Sequence, residues 1–217
     1  MIRQRVKEAD YLEINGSYEF LGTGFSKLDE KPNAQTKEKR YVNQKSSTQS
    51  ITSYKWQEDF TTDQIVNDKA IEYLVYIGKT LKTGGDAETN HVKVDLDKPG
   101  TESNTFYARK RTVAIQVDSL PDNDGELGVE GAFLGVSDVV EGTFNTTTNT
   151  FTEGFTGKTL EFSYTATGTV TEISVDGITY DSTGHKFKNI PVNTTSFTFK
   201  DGSTTKTATL SESWNVA

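Results

Sequence analysis

The sequence predicts a mainly β protein, in which an antiparallel β-sandwich with one flanking α-helix is followed by a small C-terminal β-module. Apolar and polar residues alternate through most of the chain, as they do in strands with one buried face. One stretch places its apolar residues at helical spacing instead. Thr, Ser, Asn and Gly stand where aliphatic residues are usual, so that 33% of the chain is hydrophobic. The aromatic content of 11% argues against disorder.

The strand pattern begins near the N-terminus. Tyr11–Ile14 is predicted to be a short strand that ends in a turn at Asn15-Gly16. Ile51–Phe60 alternates, so we expect one long half-buried strand with its aromatic residues facing the core. Turn-forming runs at 99–100 and 121–125 separate further predicted strands, which are His91–Asp97, Phe106–Asp118, Val129–Leu134 and Val136–Asn145.

One helix is predicted, over residues 62–82. Thr61, followed three residues later by Gln64, fits a capping box, and Gly84-Gly85 would end the helix. Its apolar residues form a single stripe that consists of Ile71, Leu74, Val75, Gly78 and Leu81. We expect this stripe to be buried against a sheet.

The sequence pattern of the chain changes near residue 157. Residues 1–156 are predicted to form the main domain, with an N-terminal arm at 1–10 and a long loop at 29–50. Residues 157–217 are interpreted as a separate, small β-sandwich-like module. The alternative is that they complete the main sandwich. The short strands predicted there are Leu160–Ala166, Val170–Val175, Ile178–Tyr180, Phe187–Ile190, Ser196–Lys200 and Thr205–Leu210.

Residue types that enzymes and metal sites need are scarce. The chain has no cysteine and two histidines, His91 and His185, which fall in different predicted domains. We therefore expect no disulfide, no zinc site of the usual kind, no catalytic residues and no cofactor. Asp122, Asp124 and Glu126 mimic the start of a calcium loop, but its other ligands are missing, so a hairpin turn is the preferred interpretation.

Charge and hydropathy exclude two further classes. The net charge is −8, and no cluster of Lys and Arg indicates a face for tight nucleic-acid binding. No apolar segment predicts a secretion signal or membrane insertion. A glycosidase with paired carboxylates remains a distant alternative, because no pair of acidic residues stands out.

Residues 29–50 are the most unusual segment. Structureless loops longer than about 12–15 residues are uncommon in compact domains and are usually functional or disordered. This segment has no run of like charge, and Tyr41 and Val42 lie at its centre. We expect it to be ordered by contact with another subunit. A floppy surface loop is the alternative.

Six blocks within about the first 155 residues also suggest a family. They are GTGFSKLDE, AQTKEKRYVNQKSST, ITSYKW, the segment that opens with DQI, KTGGDAE with the later VDL, and YARKRTVAI. In their order and spacing these blocks resemble the major tail tube protein of long-tailed, siphovirus-type bacteriophages. The resemblance implies a tail-tube-type β-sandwich that assembles as hexameric rings stacked into a conduit for phage DNA.

The resemblance also implies partners and a location. Copies of the chain would form the tube, while the tape-measure protein and DNA would pass through its lumen without specific binding. Tail terminator and distal tail proteins would close the ends. The chain would belong to the virion tail, and to the host bacterial cytoplasm during assembly. The alternative is a cell-surface or virion β-sandwich adhesin that binds glycan through the Thr-rich C-terminal strands.

Polar faces of the predicted strands are candidates for the lumen wall. A weakly acidic wall would let DNA pass, whereas a basic wall would retain it by releasing counterions. We expect Lys55 and Lys110 to pair with neighbouring acids or to lie at a subunit boundary. An ordinary solvated face is the alternative. The lumen candidates are Ser53, Lys55, Gln57, Asp59, Lys110, Thr112, Gln116, Asp118, Ser137, Glu141 and Thr143.

The candidates for contacts between rings and subunits lie in the N-terminal arm and in the long loop, whose amides and mixed charges suit a polar interface. They are Arg3, Arg5, Lys7, Lys37, Lys39, Arg40, Tyr41, Asn43, Gln44 and Lys45.

Overall fold

The structure is a computed structural model that describes residues 2–192 and 194–210, together with the backbone of 214–216. Within these residues the chain is mainly β, with antiparallel strand pairs and a single α-helix, which confirms the predicted fold class. No helix among them is long and apolar enough to cross a membrane.

The chain forms two compact units. The first comprises Met1–Asp97 and Phe106–Phe155, and the second comprises Lys98–Thr105 and Thr156–Ala217. A segment from the middle of the chain therefore belongs to the second unit, whereas the sequence analysis placed all of 1–156 in the main domain.

A curled antiparallel sheet builds the first unit. Its path runs β2-β1-β7-β8-β10-β6-β3, with β9 paired to β10, and with β11 paired to both β8 and β12. Strands β4 and β5 pair only with each other. The strands are β1 (Glu8–Ile14), β2 (Ser17–Phe20), β3 (Phe25–Lys31), β4 (Ala34–Lys39), β5 (Thr48–Tyr54), β6 (Gln57–Asp63), β7 (Glu88–Pro99), β8 (Thr105–Ser119), β9 (Asp122–Asn123), β10 (Glu126–Gly135), β11 (Val140–Asn145) and β12 (Thr150–Glu153).

The turn predicted at the first strand is confirmed. Ile14 pairs with Ser17, which leaves Asn15 and Gly16 as a two-residue connection between β1 and β2. Their φ angles are 52° and 81°, the left-handed values that this kind of hairpin requires and that Asn and Gly adopt most readily.

The helix is shorter than predicted. Helix α1 spans Lys69–Thr80, and the Asp68 carboxylate caps it by accepting hydrogen bonds from the backbone N–H groups of Ala70 and Ile71. The prediction of 62–82 was wrong at its start, because residues 62 and 63 continue β6 and Thr61 caps nothing. The helix buries Ala70, Ile71, Leu74 and Ile77, so the predicted stripe is confirmed at Ile71 and Leu74. It was wrong at Leu81, which follows the helix and is 82% exposed.

Strand limits also differ from the sequence analysis. The strand expected at Ile51–Phe60 is broken at Lys55 and Trp56, so that its halves belong to β5 and β6. Residues 136–139 form a connection, and β11 starts at Val140. The last residues of the expected arm, 8–10, belong to β1, which pairs with β7.

Two apolar clusters hold the first unit together, one on each face of the sheet. The larger packs α1 against the sheet and includes Leu12, Phe60, Leu74, Val113 and Phe133. The smaller contains Ala9, Tyr11, Val92, Val94, Ala108 and Phe144, where the β11–β12 hairpin covers β1, β7 and β8.

The second unit has a core of its own. A three-stranded sheet in the order β13-β16-β15 and a four-stranded sheet in the order β14-β17-β18-β19 surround buried Phe187, Phe197 and Phe199. The strands are β13 (Thr159–Ser163), β14 (Val170–Thr171), β15 (Thr179–Asp181), β16 (Lys186–Pro191), β17 (Ser196–Asp201), β18 (Thr204–Leu210) and β19 (Trp214–Val216).

Candidate functional site

The long segment predicted as a loop is a β-hairpin. Residues 34–54, which we call the arm hairpin, consist of β4, a tip at 40–47 and β5, with pairs from Ala34–Tyr54 to Lys39–Thr48. The backbone N–H of Lys55 donates to the carbonyl of Asn33 at 3.1 Å and closes its base. The expectation of an irregular loop at 29–50 was therefore wrong, and residues 29–31 belong to β3.

The arm hairpin exposes apolar side chains that a self-contained domain would bury. The exposed fractions are 56% for Tyr41, 58% for Ile51 and 60% for Tyr54, and Val42 is fully exposed. All residues of the arm hairpin except Gln35 are exposed. In the described part of the chain, its hydrogen bonds join only residues 33–55 to one another. Its order thus comes from its own strand pairing.

The interface candidates of the long segment all lie on this hairpin. Arg40 at the tip donates to the backbone carbonyl of Gln44 at 3.2 Å, and the Gln44 N–H donates to the carbonyl of Tyr41 at 3.0 Å. The remaining candidates are exposed on β4 or at the tip, and they are Lys37, Lys39, Asn43 and Lys45.

The candidates of the N-terminal arm are held within the chain. Arg3 forms ion pairs with Glu8, Asp95 and Asp97 at 2.6–2.9 Å. Arg5 pairs with the Asp10 carboxylate and also donates to the backbone carbonyl of Glu8. Of these candidates, Lys7 alone forms no described ion pair, and it is exposed.

Four lumen candidates share one outward face of the sheet. Gln57 and Asp59 are on β6 and Gln116 is on β8, the two strands that flank β10. Asp59 and Gln116 both pair with Ala132 of β10, so their side chains lie on the same face of the sheet. Asp118 extends this face, and its Oδ1 accepts a hydrogen bond from Gln116 at 2.6 Å. We call these four residues and their neighbours on β3 the outward face.

Asp59 is the most tightly held residue of the outward face. Lys31 and Lys27 of β3 both form ion pairs with its carboxylate, the latter at 3.2 Å. The hydrogen bond from Lys31 and the other donors lower the pKa of Asp59 to about 2. The outward face therefore carries mixed charge, because Lys27 and Lys31 offset the charge of the Asp59 carboxylate.

The other lumen candidates lie elsewhere. Ser53 and Lys55 belong to the base of the arm hairpin, and Thr112 lies beside Ser137, whose Oγ accepts from the Thr112 N–H at 2.9 Å. Glu141 and Thr143 are on β11. The eleven candidates therefore lie in several regions of the first unit rather than on one face.

The described contacts give neither candidate lysine an acidic partner. The Lys110 ammonium lies 4.8 Å from the centre of the Phe151 ring, a cation–π geometry. Lys55 is exposed, and its described contacts are those of its backbone with Asn33. Within the described part of the chain the expected acidic partners are not found, and the alternative, a place at a subunit boundary, stays a prediction.

A buried polar cluster was missed altogether. Asp10 on β1, Glu58 on β6, and His91 and Lys93 on β7 are at most 3% exposed. Lys93 Nζ lies 2.5 Å from Glu58 Oε1 and 3.3 Å from Asp10 Oδ1, and His91 Nε2 lies 3.3 Å from an oxygen of each acid. We call these four residues the buried cluster.

The two acids of the buried cluster have pKa values that are shifted in opposite directions. Burial and the neighbouring charge of Asp10 raise the pKa of the Glu58 carboxyl above its usual value. Burial acts in the same direction on Asp10, but contacts with His91 and Lys93 outweigh it and lower the pKa of Asp10. For Lys93, the charges of Asp10 and Glu58 outweigh burial and raise its pKa.

Further charges surround the cluster. Glu30 of β3 lies 3.7 Å from Lys93 and pairs with Arg109 of β8. Glu30 also accepts a hydrogen bond at 2.6 Å from the Trp56 indole, over which Arg111 lies at 4.0 Å. Glu30, Trp56, Arg109 and Arg111 line a cavity of about 550 Å³. Tyr54 of the arm hairpin is also part of its wall.

The signal for the buried cluster was present in the sequence. Glu58 is two residues from Trp56 and two from Phe60, so all three side chains share the strand face that was assigned to the core. His91 and Lys93 are two residues apart and therefore share one face of β7. Charged residues in phase with buried ones can thus indicate an interior polar network.

Comparison with known proteins gives no family. No protein-family model matches the chain, and no curated protein matches it.

Proposed function

We propose that this chain is a major tail tube subunit of a long-tailed bacteriophage, which polymerises as stacked hexameric rings and forms the conduit for DNA ejection. The sequence blocks that resemble this family supply the identity of the proposal. The arm hairpin supplies its mechanism.

The arm hairpin is the observation on which the proposal depends. It is about twenty residues long, it is almost entirely exposed, and it presents Tyr41, Val42, Ile51 and Tyr54 to solvent. An isolated two-stranded hairpin is only marginally stable in water. Several exposed apolar residues on one exposed element are typical of an interface with another protein. A second copy that covers these side chains accounts for both features.

The edges of the main sheet are consistent with assembly. In the described part of the chain, β2 and β3 end the sheet and leave unpaired backbone groups. Such edges invite association, and a closed ring of subunits removes them from solvent. Many weak contacts, repeated around a ring and between rings, then become strong together through multivalency.

The charge of the chain suits a conduit. A net charge of −8 argues against tight binding of DNA by the chain as a whole. Weak repulsion of phosphate acts within about 8 Å at physiological ionic strength, so it would operate only near the wall.

Negative-stain electron microscopy of the purified chain tests the proposal. Hollow tubes or rings are the expected result over a range of protein concentrations and ionic strengths. A species that stays monomeric under all of these conditions contradicts it. Monomers that bind glycans on an array would instead support an adhesin.

A further inference from the structure

We infer that Asp10, Glu58 and His91 form a site for a divalent transition-metal ion of the zinc class inside the first unit. The site is independent of the proposed assembly. It was not expected from the spacing of these residues in the sequence, because three separate strands bring them together.

Strand pairing places the three side chains. Asp10 of β1 lies opposite Lys93 of β7, and Leu12 of β1 lies opposite His91, so Asp10 and His91 are diagonal neighbours on one face. Glu58 of β6 reaches the same point from the other side of the curled sheet. A shared ion would therefore join β1 and β7 to β6 across the interior.

Two of the three separations between the donor atoms match those around a tetrahedral ion. Asp10 Oδ1 and Glu58 Oε2 each lie 3.3 Å from His91 Nε2, and the three atoms lie within 4.8 Å of one another. An ion with ligand distances of about 2.0–2.1 Å separates its tetrahedral ligand atoms by roughly 3.3–3.4 Å. One imidazole nitrogen and two carboxylate oxygens form a ligand set that zinc accepts, with a fourth position left for water.

The three atoms that would bind the ion also lack hydrogen-bond partners among the described residues. Among the residues that the structure describes, Asp10 Oδ1, Glu58 Oε2 and His91 Nε2 are buried atoms without a hydrogen bond of acceptable geometry. Buried polar atoms are normally satisfied, so three orphaned atoms that converge on one point need an explanation. A coordinated ion satisfies all three at once.

The surroundings hold the ligands in place. Arg5 binds the other oxygen of Asp10, and Lys93 binds the other oxygen of Glu58 at 2.5 Å. The His91 ring stacks on Phe133 at 5.5 Å. Such outer contacts orient ligands in metal sites.

Lys93 opposes the ion by charge, because its ammonium lies 3.3 Å from Asp10 Oδ1. The same ammonium faces four carboxylates within 4 Å, including those of Glu8 and Glu30, which offset part of its repulsion. We therefore expect a site weaker than structural zinc sites with thiolate ligands. Removal of the Lys93 charge should tighten it at least about tenfold.

Cobalt(II) titration of the full chain, after treatment with a chelator, tests this inference. The expected result is a saturable visible d–d absorption of tetrahedral intensity, displaced by Zn²⁺, together with a rise in the thermal unfolding midpoint. Absence of both effects in the unmodified chain would overturn the inference, whatever the variants do.

Variants assign the site. His91→Gln should abolish the absorption, and His185→Gln should leave it unchanged, since these are the two histidines of the chain. Lys93→Met should bind Co²⁺ at least about tenfold more tightly than the unmodified chain. Absorption that survives in His91→Gln, or that disappears in His185→Gln, would overturn the assignment. Affinity that is unchanged or weaker in folded Lys93→Met would do the same.

Discussion

Lys93 and Glu58 form an ion pair between facing parts of the curled sheet, with Nζ 2.5 Å from Oε1 and neither residue more than 3% exposed. Burying two charges costs desolvation energy, so the net contribution of the pair to the free energy of unfolding is small. Removal of one partner alone is strongly destabilising, because the other charge stays buried without compensation. What it does provide is a fixed register, because β7 and β6 must align for the two charges to meet.

The first prediction concerns this pair. Glu58→Gln leaves the Lys93 ammonium buried with one fewer counter-charge, and the free energy of unfolding should fall by about 3 kcal/mol. Lys93→Met with Glu58→Leu removes both charges and should cost clearly less. Urea denaturation of the single and double variants measures the difference. A double variant that is less stable than Glu58→Gln would show that the pair contributes net stability.

The second prediction tests a close backbone approach. A Cβ at Gly131 of β10 would lie 2.0 Å from the carbonyl oxygen of Gln116, so Gly131→Ala should destabilise the first unit by at least about 2 kcal/mol. Gly85→Ala is the matched control, because nothing lies within 4 Å of its added Cβ, and it should change stability by less than about 0.5 kcal/mol. Equal midpoints in thermal denaturation would contradict this view of β10.

The third prediction concerns acid stability of the second unit. The Asp201 carboxylate accepts hydrogen bonds from the Tyr164 hydroxyl at 2.6 Å and from the backbone of Thr167 and Gly168, and the pKa of Asp201 falls to about 2. Because the folded pKa is depressed, this stabilisation is present above the unfolded value of about 3.9 and is lost as the pH falls toward 2.

Variants isolate that contribution. Asp201→Asn should be less stable at neutral pH and should lose less stability than the unmodified chain between pH 4 and pH 2. Asp176→Asn, at an exposed turn, is the control and should follow the unmodified profile. Circular dichroism melts across this pH range provide the measurement, and parallel profiles for Asp201→Asn and the unmodified chain would exclude the mechanism.

The fourth prediction concerns the lumen. Asp59 is unsuitable for charge reversal, since a lysine there would meet Lys27 and Lys31. Asp118→Lys with Glu141→Lys changes two exposed positions instead, and tubes should still form while DNA ejection becomes slower, because a basic wall retains phosphate. Asp176→Lys with Glu102→Lys, at exposed positions of the second unit, is the control of equal charge. Ejection rates that are equal for the two variants would count against the assignment of the lumen.

The fifth prediction concerns the arm hairpin. The hydrogen bond between Lys55 and Asn33 marks its base, so a short Gly-rich turn that replaces residues 34–54 should leave the first unit folded. This variant should not polymerise. Ile51→Ser with Tyr54→Ser should weaken assembly without changing the thermal stability of the monomer, because both side chains are about 60% exposed. Gel filtration and electron microscopy read both properties, and normal tubes from the deletion variant would refute the role of the hairpin.

Local signals predicted the parts of the fold that depend on local physics. The Asn15-Gly16 turn is present, and Ile71 and Leu74 of the predicted apolar stripe are buried. The start of the helix was wrong because Thr61 and Gln64 mimic a capping box, whereas pairing with β10 keeps residues 57–63 in a strand. Long-range pairing overrode a local preference there.

Two further differences could not be predicted from periodicity alone. Polar residues on both faces of the arm hairpin give no alternation to read, so its strands looked like a loop. The buried cluster needs three strands that are distant in sequence to converge, and only the sheet order brings Asp10, Glu58 and His91 together.

Cryo-electron microscopy of particles formed by the purified chain tests the central claim most directly. The account predicts rings or tubes in which the arm hairpin of each copy, residues 34–54, packs Tyr41, Ile51 and Tyr54 against another copy. A reconstruction in which these three side chains contact no neighbouring copy would contradict it.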